Sequence, residues 1–178
     1  LLIFDEVQVG MGRTGKFFAF EHFNIIPDIL TLGKALGGGM PIGAFISSKE
    51  IMHSLTNNPM LGHITTFGGH PINCAAANAC INVLKEENWI EESEQKGQFL
   101  ENIIAQSDQV KEIRRAGLFL AVDLGSQEKV AQVVTKCLEK GVIGFWFLST
   151  PTAFRLSPPL SITKEELKEA GEVILSAI

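Results

Sequence analysis

The sequence has little cysteine, no excess of positive charge and no long apolar run. Its three cysteines are an odd number without regular spacing, which argues against a disulfide framework and favours a reducing, cytoplasmic setting. The formal net charge of -5 provides no basic patch for nucleic acid and no polybasic signal for a membrane. No apolar stretch approaches the roughly 20 residues of a membrane-spanning helix. We therefore expect neither a nucleic-acid partner nor a membrane partner.

Metal-ligand patterns are also lacking. Cys74, Cys80 and His70 match no common zinc spacing, and the two cysteines lie in an alanine-rich helical stretch. We predict no metal site, and we expect both cysteines to be buried as small core residues. His53, His63 and His70 have no matched chemical partner in the sequence and are expected to be structural.

The composition is that of a globular protein with a hydrophobic core. The 178 residues are 46% hydrophobic and 20% charged, and the mean hydropathy is +0.20. The chain begins at Leu1, without Met, on what reads as a buried strand. We therefore expect the native protein to contain residues before Leu1.

Apolar runs and glycines predict the elements of the first half. The run over 1–4 ends at Asp5, as in a parallel-sheet strand that is buried on both faces. The phenylalanines over 17–23 read as packing material. The predicted elements are a loop over 9–16, a short turn or helix over 17–23, and strands over 29–32 and 42–46. A Ser47–Glu50 capping box begins a helix that runs to about Leu55, and a polar loop over 56–69 follows. Pro71 suits the first position of the next helix, which runs over about 72–85.

The second half alternates strands and helices, which indicates a layered α/β or α+β architecture. A shift to charged residues at 86–88 marks a domain boundary, with one domain over 1–86 and another over 87–178. The predicted elements are a helix over 90–106, a strand over 118–124, a helix over 127–140 that Gly141 ends, strands over 142–148 and 153–156, and a last helix that a Thr163–Glu166 capping box begins.

Two polar residues of opposite charge follow predicted strands. Asp5 ends the first strand, and Lys34 comes just after the strand over 29–32. Ligands of open parallel sheets bind beyond the carboxyl ends of the strands, so both side chains could face one crevice. Position alone leaves another interpretation open, in which Asp5 caps a turn and Lys34 is a solvated lysine.

Four motifs occur in order along the chain. They are Asp5-Glu6-Val7-Gln8 with the glycine-rich stretch 10–15, Leu32-Gly33-Lys34-Ala35-Leu36-Gly37-Gly38-Gly39 after Pro27-Asp28, Thr65-Thr66-Phe67-Gly68-Gly69-His70-Pro71, and Phe154-Arg155-Leu156-Ser157-Pro158-Pro159-Leu160. Together they resemble the signature of the class III aminotransferases of the ornithine/acetylornithine type, which are pyridoxal 5'-phosphate (PLP) enzymes of fold type I. The resemblance covers essentially the whole chain. It implies an α/β fold, with the end of the large PLP-binding domain over 1–86 and an α+β small C-terminal domain over 87–178.

The resemblance implies that Lys34 binds the cofactor aldehyde covalently and that Asp5 pairs with the pyridine nitrogen. A lysine amine reacts with an aldehyde only when it is deprotonated, which a partly desolvated, electropositive site favours. After the substrate displaces it, the same amine is placed to move a proton between substrate and cofactor. The Asp5 carboxylate would keep the ring nitrogen protonated, so that the ring withdraws electrons better.

The same resemblance implies four further cofactor contacts. Val7 would pack on the ring face, and the Gln8 amide would hydrogen-bond the phenolic oxygen. Thr66, helped by Thr65, would bind the phosphate near a helix start, where free backbone donors point. In this family that threonine reaches into the partner subunit's site, so a homodimer is implied. A loop hydrogen bond for Gln8 and a threonine turn before a helix are the simpler structural interpretations.

Arg155 would bind the substrate carboxylate, because its planar fork makes two parallel hydrogen bonds to such a group. A surface arginine on a strand is the alternative. Arg13 is expected to hold its own glycine loop in place, without a catalytic role. His70 stands where the family commonly has asparagine after the Gly-Gly pair, and this departure leaves the substrate open.

Three functional hypotheses remain open at this stage. The favoured one is amino transfer between an ornithine- or acetylornithine-like ω-amino donor and 2-oxoglutarate, with small amino acids and 2-oxo acids as substrates. The second keeps PLP but changes the reaction to that of an aminomutase, racemase or decarboxylase. The third is a truncated domain without activity, because the family's N-terminal half supplies a phosphate loop, a stacking aromatic residue and an acidic residue that these 178 residues do not contain.

Overall fold

The computed structural model describes residues 1–58, 60 and 62–178. These form two compact units, the first comprising Leu1–Gly12 with Lys16–Asn88 and the second Arg13–Gly15 with Trp89–Ile178. Pro59 and Leu61, which belong to the predicted polar loop over 56–69, lie outside the described residues. No helix of the described residues is long and apolar enough to cross a membrane.

The first unit contains a three-stranded sheet in the order β1-β2-β3. Strand β1 (Ile3–Asp5) pairs in parallel with β2 (Ile29–Leu32), and β2 pairs antiparallel with β3 (Ala44–Ser47). The prediction of β2 is confirmed residue for residue. The prediction of β3 is confirmed with a start two residues later, at Ala44.

The expectation that the first strand is buried on both faces is wrong. Leu1, Leu2 and Ile3 are 88%, 42% and 58% exposed. Strand β1 is an edge strand, and the described residues of this unit do not cover it. A continuous apolar run therefore correctly predicts a parallel strand here, whereas its burial depends on packing partners that this unit does not supply.

Short helical turns and two helices complete the first unit. They are the 3-10 turns Ala19–Phe23 and Lys34–Gly37, α1 (Lys49–His53) and α2 (Pro71–Glu86). Pro71 is the first residue of its helix, as predicted. The expected cap of α1 is wrong, since Ser48 and not Ser47 accepts the hydrogen bond from the Ile51 N–H, at 3.3 Å. Ser47 is the last residue of β3 and donates instead to the Asp28 carbonyl.

Packing inside the first unit follows the aromatic and alanine-rich stretches only in part. Phe18 and Phe20 stack with ring centroids 5.6 Å apart, and Phe20 also lies 6.3 Å from Phe4. Phe23, in contrast, is 67% exposed. On α2, Cys80 is half-buried but Cys74 is exposed, so the expected burial of Cys74 is wrong.

The second unit contains a four-stranded antiparallel sheet and helices that pack on it. The strand order is β4-β5-β7-β6. The elements in chain order are α3 (Trp89–Ile104), β4 (Glu112–Ala116), β5 (Phe119–Asp123), α4 (Gln127–Glu139), β6 (Phe145–Trp146), β7 (Ala153–Leu156) and α5 (Lys164–Ala177). Alternate residues of the central strands are at most 5% exposed: Leu120, Val122, Phe154 and Leu156.

Local signals predict the helices of this unit better than its edge strands. The Thr163–Glu166 capping box is present, and Gly141 follows α4 with a φ of 86°. Strand β4 was not predicted, because three of its five residues are charged and only its pairing with β5 stabilises it. Strand β6 has two residues where seven were predicted over 142–148.

Candidate active site

The segments that carry Asp5 and Lys34 follow one another at the carboxyl ends of the neighbouring strands β1 and β2. The parallel register pairs Asp5 with Thr31, and Lys34 follows Thr31 by three residues. The Glu6 N–H extends the pairing by donating to the Thr31 carbonyl, at 3.0 Å. Because both strands run in the same direction, their carboxyl ends lie side by side, which is where open parallel sheets bind ligands.

Val7, two residues after Asp5, packs against Gly33 of the segment that carries Lys34. A Cβ placed on Gly33 would lie 3.3 Å from Val7 Cγ1. The absence of a side chain at Gly33 therefore leaves room for Val7 directly before Lys34. The Val7 side chain is half-buried and provides an apolar surface beside Gly33.

The Asp5 carboxylate keeps one oxygen available. Its Oδ1 accepts a hydrogen bond from the Val7 backbone N–H at 3.0 Å, which orients the group. Its Oδ2 accepts no hydrogen bond from any described residue, and the residue is exposed. This carboxylate fits a protonated ring nitrogen of PLP, which needs one acceptor held at a fixed angle.

Lys34 begins a tight turn in a strained backbone conformation. Its φ is 46°, in the left-handed region that residues with a Cβ rarely adopt, and such a residue costs of order 1–3 kcal/mol. The Leu36 N–H donates to the Gly33 carbonyl at 3.0 Å across the turn. The Lys34 side chain is exposed and has no hydrogen bond or ion pair with a described residue. Its amine is therefore available for a ligand.

Helix α2 packs against this turn, and the sequence did not predict that contact. The Cys80 thiol donates to the Ala35 carbonyl, with Sγ and O 3.2 Å apart. Gly38 has a φ of 56°, and a Cβ there would lie 3.0 Å from the Ala76 carbonyl oxygen. The glycine run after Lys34 thus allows close approach to α2, and the small helix residues provide the signal that could have predicted it.

Glu6 is a further structural residue that the sequence analysis missed. It is 3% exposed, and its carboxylate accepts backbone hydrogen bonds from Ala19 at 2.9 Å and from Phe20 at 2.8 Å. The Glu6 carbonyl also accepts from the Gly10 N–H at 3.0 Å. Glu6 therefore fixes the loop that follows Asp5 and satisfies the free donors at the start of a 3-10 turn.

The other predicted cofactor residues are less tightly held. Gln8 is half-buried, and its amide makes no hydrogen bond to a described residue. Thr65 and Thr66 are exposed in the loop before α2, where the Gly68 N–H donates to the Thr65 carbonyl at 3.3 Å. A Cβ on Gly68 would lie 2.6 Å from the Thr65 hydroxyl oxygen, so a side chain at this position would have to displace that hydroxyl. Among the described residues, no hydrogen bond joins the two threonines to Asp5 or Lys34, and their phosphate role stays a prediction.

Arg155 lies in the second unit, on β7, where it pairs with Ala121 of β5 and Phe145 of β6. Arg13 belongs to the same unit and donates to the carbonyls of Leu118 and Pro158. These bonds anchor the segment that carries Arg13 to residues far along the chain, which the sequence did not predict. Burial lowers the pKa of Arg13 from its ordinary value.

The described residues contain no group of histidine, cysteine, aspartate and glutamate side chains that could hold a metal ion. His63 Nδ1 lies 3.5 Å from the Leu55 carbonyl, and His70 precedes α2 without a side-chain capping bond.

Comparison with known proteins gives one consistent family. The model of the class III aminotransferases matches residues 1–178. An aminotransferase from Bacillus anthracis is 33% identical with a TM-score of 0.90, and 99% of this chain covers 44% of it. The ornithine aminotransferase from Toxoplasma gondii is 37% identical with a TM-score of 0.89, and 99% of this chain covers 42% of it. The ornithine aminotransferase from Plasmodium yoelii is 36% identical with a TM-score of 0.85, and 99% of this chain covers 47% of it.

The chain belongs to the class III aminotransferase family. Its mixed α/β fold is that of the PLP-dependent transferases that it matches. The chain spans less than half the length of these related structures.

Proposed function

We propose that the protein containing this chain is a PLP-dependent transaminase. It would move an amino group between an ornithine- or acetylornithine-like ω-amino donor and 2-oxoglutarate. The observation that carries the proposal is the parallel pairing of Asp5 with Thr31, three residues before Lys34, together with an oriented Asp5 carboxylate and a Lys34 amine that no described residue binds. Ornithine aminotransferases among the structural relatives support the donor class.

Each residue of this edge has a role that its surroundings suit. PLP, when bound, supplies an electron-withdrawing ring that stabilises negative charge on the substrate carbon. Asp5 would hold a proton on the ring nitrogen with its Oδ2, because Val7 already occupies its Oδ1. Lys34 would bind the cofactor aldehyde and later carry the proton that moves to or from the substrate.

The remaining assignments complete the proposal. Val7 would contact the ring face, and Gln8 would donate to the phenolic oxygen. Thr65 and Thr66 would bind the phosphate, from the partner subunit in a homodimer. Arg155 would bind a substrate carboxylate with its fork of N–H groups. The large PLP-binding domain over 1–86, the small domain over 87–178 and the cytoplasmic location that the cysteine pattern favours belong to the same proposal.

The cofactor assignment is tested on the full-length protein by absorption spectroscopy. Added PLP is expected to produce the absorption band of a lysine-bound aldehyde, and Lys34→Ala is expected to abolish it. Lys85→Ala is the matched control, because Lys85 is an exposed lysine of the same unit on α2. A band that persists in Lys34→Ala with unchanged intensity would refute the role of Lys34.

The reaction is tested by offering ornithine, acetylornithine and other ω-amino compounds together with 2-oxoglutarate, and measuring glutamate. Glutamate formation that is lost in Lys34→Ala supports the transaminase. PLP binding without glutamate formation, but with isomerised, racemised or decarboxylated products, would replace it with another PLP reaction. If the full-length protein neither binds PLP nor converts any of these substrates, a catalytic role is excluded.

A further inference from the structure

Arg155 differs from the other arginines of the chain in having no polar partner. Its guanidinium makes no hydrogen bond or ion pair with any described residue, although the residue is half-buried. The other three are bonded: Arg13 to the carbonyls of Leu118 and Pro158, Arg114 to Glu112, and Arg115 to Glu94 and Glu101. A half-buried guanidinium loses part of its hydration, so something other than hydrogen bonding must hold it.

Two aromatic rings hold it. The Arg155 Cζ atom lies 5.5 Å from the ring centroid of Phe145 and 6.0 Å from that of Phe147, both within the range of a cation–π contact. We call Phe145 and Phe147 the aromatic clasp. An arginine that stacks on an aromatic ring uses the flat face of its guanidinium, and such a contact leaves the N–H edge free.

The sheet register places the clasp. Phe145 of β6 is the direct cross-strand partner of Arg155, on the edge of the sheet. Phe147 lies just after β6, which ends at Trp146, and its N–H donates to the Ala153 carbonyl at 3.3 Å. On the other side of Arg155 the register partner is Ala121, whose methyl group leaves space beside the guanidinium.

Neighbouring rings fix the clasp in turn. Phe147 meets the edge of Phe119, with ring centroids 6.4 Å apart. Phe145 stacks on Trp146, with centroids 4.4 Å apart. Aromatic side chains contain no carboxylate or carbonyl acceptor, so they orient the arginine without occupying its N–H donors.

We propose that Phe145 and Phe147 are positioning residues that hold the Arg155 guanidinium by its faces and present its N–H fork to a carboxylate of the substrate. This rests on the proposed role of Arg155 in substrate binding. A fork without competing acceptors binds a planar carboxylate through two parallel hydrogen bonds. Loss of the rings leaves the charge in place but frees the side chain to take other rotamers, which weakens carboxylate binding.

The test uses the full-length protein and glutarate, a dicarboxylate that carries no reacting keto group. Isothermal titration calorimetry measures its dissociation constant for the wild type and for Phe145→Leu, Phe147→Leu and the double variant. Each single change is expected to weaken glutarate binding about threefold, and the double change about tenfold, as cation–π contacts of this exposure indicate. Phe145→Tyr, which keeps the ring, is expected to bind glutarate like the wild type.

Phe99→Leu is the matched control. The Lys164 amine lies 5.2 Å from the Phe99 ring centroid, so this change removes the same kind of contact from the helical part of the same unit. Glutarate binding is expected to stay unchanged. Melting temperatures of all variants report folding, and the single change at Phe145, which is 44% exposed, keeps the test valid if the double variant does not fold.

Steady-state kinetics then separates positioning from general damage. The KM for 2-oxoglutarate is expected to rise with the glutarate dissociation constant, with kcat changed less than KM, and Phe145→Tyr is expected to restore both. Equal glutarate affinity in the wild type and the folded Leu variants would overturn the clasp. Weaker glutarate binding in the Leu variants of a protein that shows no amino transfer would keep the clasp and overturn the proposed transaminase instead.

Discussion

The Glu6 carboxylate accepts a hydrogen bond from the Phe20 backbone N–H, at 2.8 Å, and connects the loop after Asp5 to a turn fourteen residues further along the chain. The second oxygen of the same carboxylate binds the Ala19 N–H at 2.9 Å. Both bonds are made by a side chain that is 3% exposed. The position of the Asp5 loop therefore depends on a buried residue that need not touch the cofactor.

Glu6→Gln is expected to destabilise the protein by about 2 kcal/mol, because an amide offers only one acceptor oxygen and turns its NH2 toward a backbone donor. Urea unfolding of the full-length protein, followed by circular dichroism, measures the change. Glu50→Gln is the matched control, since Glu50 is exposed on α1. Equal midpoints for Glu6→Gln and Glu50→Gln would show that the two backbone bonds contribute nothing.

Asp5→Asn is expected to lower kcat for amino transfer on the order of 10²-fold, because the amide loses the charge that holds a proton on the ring nitrogen. The amide oxygen still accepts from the Val7 N–H, so the fold should persist. Asp28→Asn is the control, because Asp28 also accepts a backbone hydrogen bond, from Leu2 at 2.6 Å. A kcat for Asp5→Asn equal to that of the control would remove Asp5 from the active site.

Gly38→Ala is expected to destabilise the protein more than Gly39→Ala does, by about 1–3 kcal/mol. Both glycines have positive φ, at 56° and 99°, so the backbone strain is present in both variants. A Cβ at Gly38 also approaches the Ala76 carbonyl oxygen to 3.0 Å, whereas one at Gly39 has nothing within 4 Å. Paired thermal melts check the difference, and identical melting temperatures would mean that α2 does not press against this turn.

The pH dependence of the last helix has a definite sign. The Thr163 backbone N–H, followed by its hydroxyl, lowers the pKa of Glu166 below its ordinary value of 4.5. A carboxyl group with a pKa lowered in the folded state contributes stability above the unfolded pKa, and this is lost as the pH falls through the folded pKa. Glu166→Gln is therefore expected to melt below the wild type at pH 7. The difference should shrink below about pH 4.5, and melting curves between pH 7 and pH 3 measure it.

Patterns of neighbouring residues predicted the two strands that precede the candidate site of the first unit. The run that ends at Asp5 and the stretch over 29–32 both form strands, and these strands pair in parallel, with Asp5 opposite Thr31. Strand ends, glycine positions and capping boxes depend on a few neighbouring residues, which is why the order of residues is enough to predict them. Strand β4 was not predicted, because its charged residues form a strand only through pairing with β5.

Contacts between residues far apart in sequence could not be predicted from such patterns. Arg13 donates to the Pro158 carbonyl across 145 positions of sequence, and no local pattern distinguishes this from a bond within its own loop. The exposure of Cys74 is likewise set by the neighbours that α2 packs against.

The sequence by itself determined the family, the parallel strand pair and the residues of this chain that meet the cofactor in the proposal. Only the tertiary structure decided that the Glu6 carboxylate binds the backbone of Ala19 and Phe20, and that Phe145 and Phe147 lie beside the Arg155 guanidinium. The physical reason is distance along the chain. Helix caps and strand ends depend on contacts within a few residues, whereas a buried carboxylate or a clasped guanidinium depends on which distant groups folding brings beside it.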